Sequence, residues 1–217
     1  MKRATTCGSG LLCTLSLVAC AADLTTADDG EGLSLEGVRT VAIGGGSWAT
    51  VVDAREQGSY RFFDLDGAAE VDAHDPSWDL AFSRYRVQSN GGDNGEGGVI
   101  VAKLDDVDFA ELVQAPSVGY VQDSAMVEEG SASGDPNYAF LGADPWYTYD
   151  EASHGLMPLA RVYVIRSTDE SFFKVQMVAY YDDVGTSGFP AFHWAMIKAP
   201  VGAVMAELQA LSRGMGD

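Results

Sequence analysis

Residues 161–179 read RVYVIRSTDESFFKVQMVA and predict a β-hairpin. From Phe173 to Ala179 every second residue is apolar, and the residues between them include a lysine and a glutamine, which is the period-two pattern of a strand with one buried face. Arg161–Arg166 is a β-branched and aromatic segment between two arginines, which favours a second strand. Ser167–Ser171 supplies the residues of a turn, so we expect the two strands to pair antiparallel.

A second alternating segment lies upstream of this hairpin. Trp78–Phe82 follows the period-two pattern, but Tyr85 and Val87 fall on the opposite parity. A strand changes parity only where its pairing is irregular. The sequence therefore predicts a β-bulge or a strong twist near Ser83 and Arg84.

The rest of the chain predicts a single antiparallel β domain over residues 38–199. Short apolar segments alternate there with Gly, Asp, Asn and Pro at a spacing typical of all-β proteins, and Phe189–Ile197 predicts the last strand. Asn90–Gly98, with the sequence NGGDNGEGG, predicts a long flexible loop. Val201–Leu211 carries apolar residues at helical spacing, so we expect residues 200–217 to form a short C-terminal helical tail.

The first 19 residues predict a secretory signal peptide. Lys2 and Arg3 form a short basic segment, and an apolar run follows over Leu11–Val18. This run is much shorter than the ~20 residues that a membrane-spanning helix needs. Residues 1–19 are therefore left out of the reasoning about the fold.

The end of the signal resembles a bacterial lipobox. Leu17-Val18-Ala19-Cys20 has the pattern in which cleavage precedes the cysteine and the thiol of Cys20 carries a lipid anchor. An ordinary signal peptide cleaved nearby is the alternative. Ala21 follows the cysteine, and by its resemblance to bacterial sorting rules this position favours the outer membrane. Residues 20–37 are rich in Ala, Thr, Asp and Gly, which predicts a lipidated flexible tether.

Charge and cysteine content exclude several classes of protein. The chain has 13 Lys and Arg against 32 Asp and Glu, and its formal charge of −19 repels nucleic acid and anionic lipid headgroups. Cys7 and Cys13 lie in the signal and Cys20 is the lipidated residue, so the β domain contains no cysteine. This excludes a disulfide, a cysteine-ligated zinc, an iron–sulfur cluster and a thiol nucleophile in that domain.

The sequence offers no convergent catalytic set. The stretch 130–134 reads GSASG, which lacks the central serine of a hydrolase elbow. Asp64-Leu65-Asp66-Gly67 lacks the further ligands of a calcium loop and predicts a turn. His74 and His193 are interpreted as surface or cross-strand residues, whereas His154 lies in a loop near Met157. We therefore expect a protein that is not an enzyme.

Several stretches together resemble the HmuY family of bacterial surface lipoproteins. They occur in the family's order between about Val38 and Lys198, downstream of the lipobox. The stretches are Trp78–Tyr85 with the Asn90-Gly91-Gly92 loop, Arg161–Arg166, Lys174–Gln176 leading to Tyr180-Tyr181-Asp182, and Gly185–Trp194. The resemblance implies an all-β domain with long β-fingers that close around haem, and a non-catalytic role in haem capture or transfer at the outer membrane.

The resemblance also implies two side chains that ligate the haem iron, a His pair or a Met pair in characterised members. The family's first ligand window corresponds to Val121–Pro145, where Met126 is the only candidate, and the second lies before Arg161 and contains His154 and Met157. Met126 and His154 are the predicted iron ligands, a mixed pair that departs from the family's register. Imidazole and thioether both suit haem iron.

Cations are expected near the haem propionates, which are anionic. Arg84, Arg86 and Arg161 are the predicted residues for this role. The expected partners are haem or a haem-carrying protein and an outer-membrane receptor, with membrane contact by the lipid anchor only. The alternative is a surface lipoprotein of the same fold that does not ligate haem and binds another ligand or a protein.

Overall fold

The computed structural model describes residues 37–127, 129, 131 and 134–201, and their regular structure is almost entirely β-strand. The strands in chain order are β1 (Val38–Gly44), β2 (Ser47–Val52), β3 (Arg61–Asp64), β4 (Ala69–Val71), β5 (Leu80–Ser83), β6 (Arg86–Ser89), β7 (Ile100–Asp105), β8 (Tyr120–Val121), β9 (Tyr147–Asp150), β10 (Gly155–Pro158), β11 (Arg161–Arg166), β12 (Phe172–Tyr181) and β13 (Ser187–Ile197). A single 3-10 turn covers Gly92–Asn94. No helix within the described ranges has the length and apolar character to span a bilayer.

Seven strands form one sheet in the order β1-β2-β13-β12-β11-β7-β8, with antiparallel neighbours throughout. The hairpin predicted from residues 161–179 is confirmed as β11 and β12, where Tyr163 pairs with Val175. In its turn the Ser167 N–H donates to the Ser171 carbonyl at 2.8 Å. The all-β class expected from the sequence is therefore correct.

A four-stranded sheet in the order β4-β3-β5-β6 packs against the large sheet, and β9 and β10 form a separate hairpin. The bulge predicted near Ser83 and Arg84 is wrong. Ser83 pairs with Arg86, so Arg84 and Tyr85 form a two-residue turn between β5 and β6. Arg84 takes the left-handed conformation of this turn, with φ 53°. The parity change in the sequence thus marks a chain reversal.

Aromatic side chains fill the space between the two sheets. Phe82 of β5 stacks on Phe192 of β13 with ring centroids 5.3 Å apart. Phe63 of β3 meets the same ring edge-on at 5.7 Å and contacts Trp194 at 5.9 Å. All four side chains are almost completely buried. Because each buried aromatic removes ~150–250 Å² from water, this layer stabilises the sheet pair without a disulfide.

The opposite face of the large sheet is covered in part by the segment between β7 and β8. Its Ala115 belongs to a small buried cluster with Val164 and Phe172. Lys174 donates from Nζ to the carbonyl of Phe109 at 2.5 Å and lies 4.4 Å from the centre of that ring. The β7–β8 segment is therefore held on the sheet by apolar contact and by one buried cation.

Asn90 organises the glycine-rich segment 90–98, which is a loop as predicted. Its Nδ2 donates to the carbonyl of Trp78 at 2.8 Å, and its Oδ1 accepts from the Gly97 N–H at 3.0 Å. A Cβ placed on Gly95 would lie 2.0 Å from Asn90 Oδ1. The glycines let the loop wrap closely around this one side chain.

Several predictions fall on residues that the structure does not describe. These are the signal peptide at 1–19, Cys20 and the tether up to residue 36, and residues 202–217 of the predicted C-terminal helical tail. The strands run from Val38 to Ile197. The domain boundaries at 38 and 199 remain predictions.

Candidate ligand-binding site

His154 lies at the turn of the β9–β10 hairpin. Its backbone is left-handed, with φ 55°, a conformation that non-glycine residues rarely adopt. The side chain is exposed, and its Nδ1 lies 2.6 Å from the Tyr149 hydroxyl. The Leu156 N–H donates to the Tyr181 hydroxyl at 2.9 Å, which ties the hairpin to β12. The hairpin therefore presents His154 to solvent with one ring nitrogen already held.

Met126 lies in the loop that follows β8 and is 74% exposed. Its carbonyl accepts from the Asn137 N–H at 2.8 Å, and its N–H donates to Ser124 Oγ at 3.3 Å. The backbone is thus fixed while the thioether lies in solvent. Met126 and His154 lie on different loops. Among the described residues, no hydrogen bond joins the side chain of one to the loop of the other.

Asp123 is a buried carboxylate that holds the loop carrying Met126. It accepts hydrogen bonds from the Ser89 N–H at 2.7 Å, the Ala139 N–H at 2.8 Å and Asn94 Nδ2 at 2.8 Å. Burial raises the pKa of Asp123, and these three donors oppose that rise. No local pattern predicts this role, because the partners of Asp123 lie far apart along the chain.

Arg84 lies in the β5–β6 turn, and Arg86 is the first residue of β6. Arg84 donates weakly, at 3.2 Å, to Ser187 Oγ and at 3.4 Å to the carbonyl of Arg55. Arg86 is half-exposed and forms an ion pair at 2.9 Å with Asp135, whose side chain is 1% exposed. Both guanidinium groups border solvent.

Arg161 has a different environment from the other two predicted arginines. Its side chain is 8% exposed and forms ion pairs with Asp105 at 2.6 Å and Asp144 at 3.0 Å. It also donates to the carbonyls of Asp144 and Pro145. Although burial works against the charge, hydrogen bonds to the two aspartates raise the pKa of Arg161. These contacts fix the start of β11.

The other two histidines have structural surroundings that fit their interpretation from sequence. His74 is exposed, with Nδ1 2.9 Å from Asp72 Oδ1. His193 points away from the aromatic layer and meets the ring of Phe109 at 6.3 Å. Burial lowers the pKa of His193.

The stretch 64–67 forms the predicted turn, since Asp64 Oδ1 accepts from the Gly67 N–H at 2.9 Å. Carboxylate oxygens of Asp64, Asp66 and Asp79 lie within 4.8 Å of one another beside this turn. Burial raises the pKa of Asp79 to about 7, and the nearby charge of Asp66 adds to the rise.

A cleft of about 560 Å³ opens beside the glycine-rich loop. Its lining comes from four segments: strand β3, the connection before β5, strand β6 and the 90–98 loop. The lining residues are Phe62, Ala73, His74, Asp75, Pro76, Trp78, Gln88, Asn90, Asn94, Gly95, Glu96 and Gly97. Neither Met126 nor His154 lines this cleft, and no motif in the sequence predicts it.

The family model of the HmuY protein matches residues 56–194, well over half of the sequence. The chain belongs to the HmuY family. The matched range includes the β9–β10 hairpin, the Met126 loop and the aromatic layer. The family suggested by the sequence motifs is therefore confirmed.

Solved structures of HmuY-like proteins share the fold. A protein of Bacteroides vulgatus ATCC 8482, named a HmuY-like haem-binding protein, matches with a TM-score of 0.54 at 18% identity, covering 74% of this chain and 97% of its own. The apo HmuY analog of Tannerella forsythia matches with a TM-score of 0.53 at 10% identity, covering 76% and 98%. A protein of Bacteroides fragilis NCTC 9343, named a lipoprotein, matches with a TM-score of 0.54 at 21% identity, covering 74% and 96%. No curated protein gives a significant match.

Proposed function

We propose that this HmuY-family protein is an exported, lipid-anchored carrier that binds haem without catalysing a reaction. The observation that carries the proposal is the family match over residues 56–194, which spans both loops that hold the predicted iron ligands. The names of the Bacteroides vulgatus and Tannerella forsythia proteins support it, since one is called haem-binding and the other a HmuY analog. The proposed location is the outer membrane, with Cys20 as the lipidated residue.

His154 has the chemistry of an axial ligand. Its Nδ1 is held by the Tyr149 hydroxyl at 2.6 Å, so Nε2 is the nitrogen available to iron. A hydrogen bond at the second ring nitrogen orients a ligating imidazole and tunes its basicity. Because the side chain is exposed, ligation requires no unfolding of the core.

Met126 supplies the second donor in this proposal. Its thioether is exposed while hydrogen bonds to Ser124 and Asn137 hold its backbone. A neutral thioether is a known type of haem ligand, and iron with two axial protein ligands leaves no open site for oxygen chemistry. Met157, 57% exposed on β10, is the other methionine near His154 along the chain.

Propionates would meet Arg84 and Arg86 more readily than Arg161. The first two guanidinium groups border solvent, and Arg84 donates to the neutral Ser187 hydroxyl and Arg55 carbonyl. Arg161 is engaged by Asp105 and Asp144. Recruiting it would break its ion pair with Asp105 and leave Asp144 with Lys103 alone.

The test is a titration of ferric haem into purified residues 21–217. We expect a shifted and sharpened Soret band in the absorbance spectrum, because axial ligation changes the electronic state of the iron. His154→Ala and Met126→Leu should each weaken the change. His74→Ala is the matched control, because His74 is an equally exposed histidine outside the ligand windows. A haem spectrum that the protein leaves unchanged would contradict the proposal.

The alternative, a protein of this family that does not ligate haem, is favoured by one observation. The cleft of about 560 Å³ is built without either predicted iron ligand. If the haem titration fails, this cleft is the place where another ligand is to be sought.

A further inference from the structure

The cleft beside the glycine-rich loop has an aromatic wall. Phe62 and Trp78 line it, with their ring centroids 5.1 Å apart and the planes at 75°. Asn90, which also lines the cleft, fixes the position of this wall, because its Nδ2 donates to the carbonyls of Pro76 and Trp78. The rings are therefore positioned in advance of any ligand.

In two amide side chains that line the cleft, Gln88 and Asn94, the NH₂ group already donates hydrogen bonds to the protein. Gln88 Nε2 donates to the hydroxyls of Tyr60 at 3.1 Å and Tyr138 at 3.3 Å. Asn94 Nδ2 donates to the buried Asp123 at 2.8 Å. Among the described residues no hydrogen bond reaches Gln88 Oε1 or Asn94 Oδ1. The two amides thus offer the cleft acceptors.

With His74 counted as neutral, the formal charges of the lining are all negative. Asp75 and Glu96 line the cleft, and neither Lys nor Arg does. Asp75 uses one carboxylate oxygen for the Ser77 N–H at 3.0 Å. Glu96 is exposed at the end of the glycine-rich loop. The chain around them has a formal charge of −19, which raises the local concentration of cations.

We infer that this cleft binds an organic cation, an alkylguanidinium or alkylammonium group. Such a group donates hydrogen bonds, carries positive charge and has an apolar stem, which matches the acceptors, the carboxylates and the aromatic wall. A carboxylate or phosphate ligand would be repelled by Asp75 and Glu96. The cation could be a basic side chain of a partner protein or a free polyamine, since both carry this chemistry. The inference does not depend on haem binding.

The test is isothermal titration of the full chain, purified in detergent, with N-acetyl-arginine amide. Its neutral isostere N-acetyl-citrulline amide is the matched ligand control, because the two differ mainly in charge. We expect the arginine compound to bind more tightly, with an affinity that falls as salt is raised. Glu96→Gln should weaken binding about fivefold, the effect of one solvent-screened charge. Glu56→Gln removes an exposed charge outside the cleft and should leave the affinity unchanged.

Spermidine in place of the arginine compound separates the two sources. Tighter binding of spermidine supports a free polyamine, and tighter binding of the arginine compound supports a basic side chain. Equal binding of arginine and citrulline compounds would overturn the inference, as would equal losses in Glu96→Gln and Glu56→Gln. Circular dichroism checks the fold of each variant, and the Trp78 indole N–H resonance reports whether the ligand reaches the cleft.

Discussion

Asp79 shows how one buried side chain can join two sheets. It is fully buried. One carboxylate oxygen accepts from the Leu65 N–H at 2.9 Å, in the turn after β3, and the other accepts from the Thr168 N–H at 2.8 Å, in the turn after β11. The two N–H groups favour the charged carboxylate, whereas burial disfavours it more strongly and raises the pKa of Asp79 to about 7. The protonation of this residue is therefore coupled to folding.

The raised pKa predicts a pH dependence of stability at Asp79. Between about pH 4 and pH 7 the folded state keeps a proton that the unfolded chain releases, so the contribution of Asp79 to stability is present at acidic pH and is lost as pH rises towards 7. Asp79→Asn removes the titrating group. It also lowers stability overall, because an amide cannot accept hydrogen bonds from both N–H groups with two oxygens as the carboxylate does. We expect the stability gap between the wild type and Asp79→Asn to narrow as pH rises from 4.5 to 7.5, by at most ~1.4 kcal/mol per pH unit. Urea unfolding at each pH measures this gap.

Asp150→Asn is the control for this prediction. Hydrogen bonds from Ser153 and the Ala152 N–H lower the pKa of the exposed Asp150. Asp150 is therefore ionised in both the folded and the unfolded state from pH 4.5 to 7.5. The stability difference between the wild type and Asp150→Asn should not change with pH. A gap for Asp79→Asn that stays constant as pH rises would mean that the buried carboxylate is charged in the folded protein, and would contradict the prediction.

The glycine-rich loop makes a prediction at the level of elements. Gly91 has an extended backbone, with φ −160°, so alanine causes no torsional strain there. A Cβ on Gly91 would lie 2.1 Å from the Val99 carbonyl oxygen, which is backbone and cannot move aside alone. Gly98 has φ 70° and open space around its Cβ position. We expect Gly91→Ala to cost about 3 kcal/mol by overpacking and Gly98→Ala about 1 kcal/mol by its left-handed backbone.

Chemical denaturation of the two variants tests the loop. The same substitution in the same loop is compared, so differences in side-chain chemistry cancel. A cost for Gly91→Ala no greater than that for Gly98→Ala would show that Gly91 does not pack closely against the Val99 carbonyl in solution.

Local pattern was sufficient to predict some elements and not others. The alternation in residues 173–179 predicted β12 because one face of that strand packs on the aromatic layer, so burial and period agree. The reversal at Arg84 was missed because the turn carries neither glycine nor asparagine at its left-handed position. The spacing of apolar residues therefore predicts the strands well. It predicts the turns between them less well.

The site was less predictable than the fold, for a physical reason. The roles of Asp123 and Asn90 arise from hydrogen bonds to segments that are distant or lie across a loop, and the cleft arises where four segments meet. Such non-local groupings leave no periodic signal. His154 and Met126 were found only through the family resemblance. Their part in binding remains a prediction.

At the scale of the whole molecule, the aromatic layer between the sheets stabilises a β domain that has no cysteine among its described residues. The three cysteines lie at positions 7, 13 and 20, outside the strands that begin at Val38. Stability of the β domain should therefore be independent of redox conditions. The proposed lipid anchor and the fold are therefore separate properties of the chain.

This separation leads to a prediction for Cys20. Cys20→Ala should abolish incorporation of a labelled fatty acid, because the lipobox resemblance assigns the acylated thiol to this residue. The melting temperature of the β domain should stay the same in this variant, with or without a reducing agent, because no strand contains a cysteine. Cys13→Ala is the matched control, since it removes a thiol from the same signal and should leave the label in place. Labelling that persists in Cys20→Ala would contradict the anchor assignment, and a melting temperature that falls on reduction would show that sulfur contributes to the fold after all.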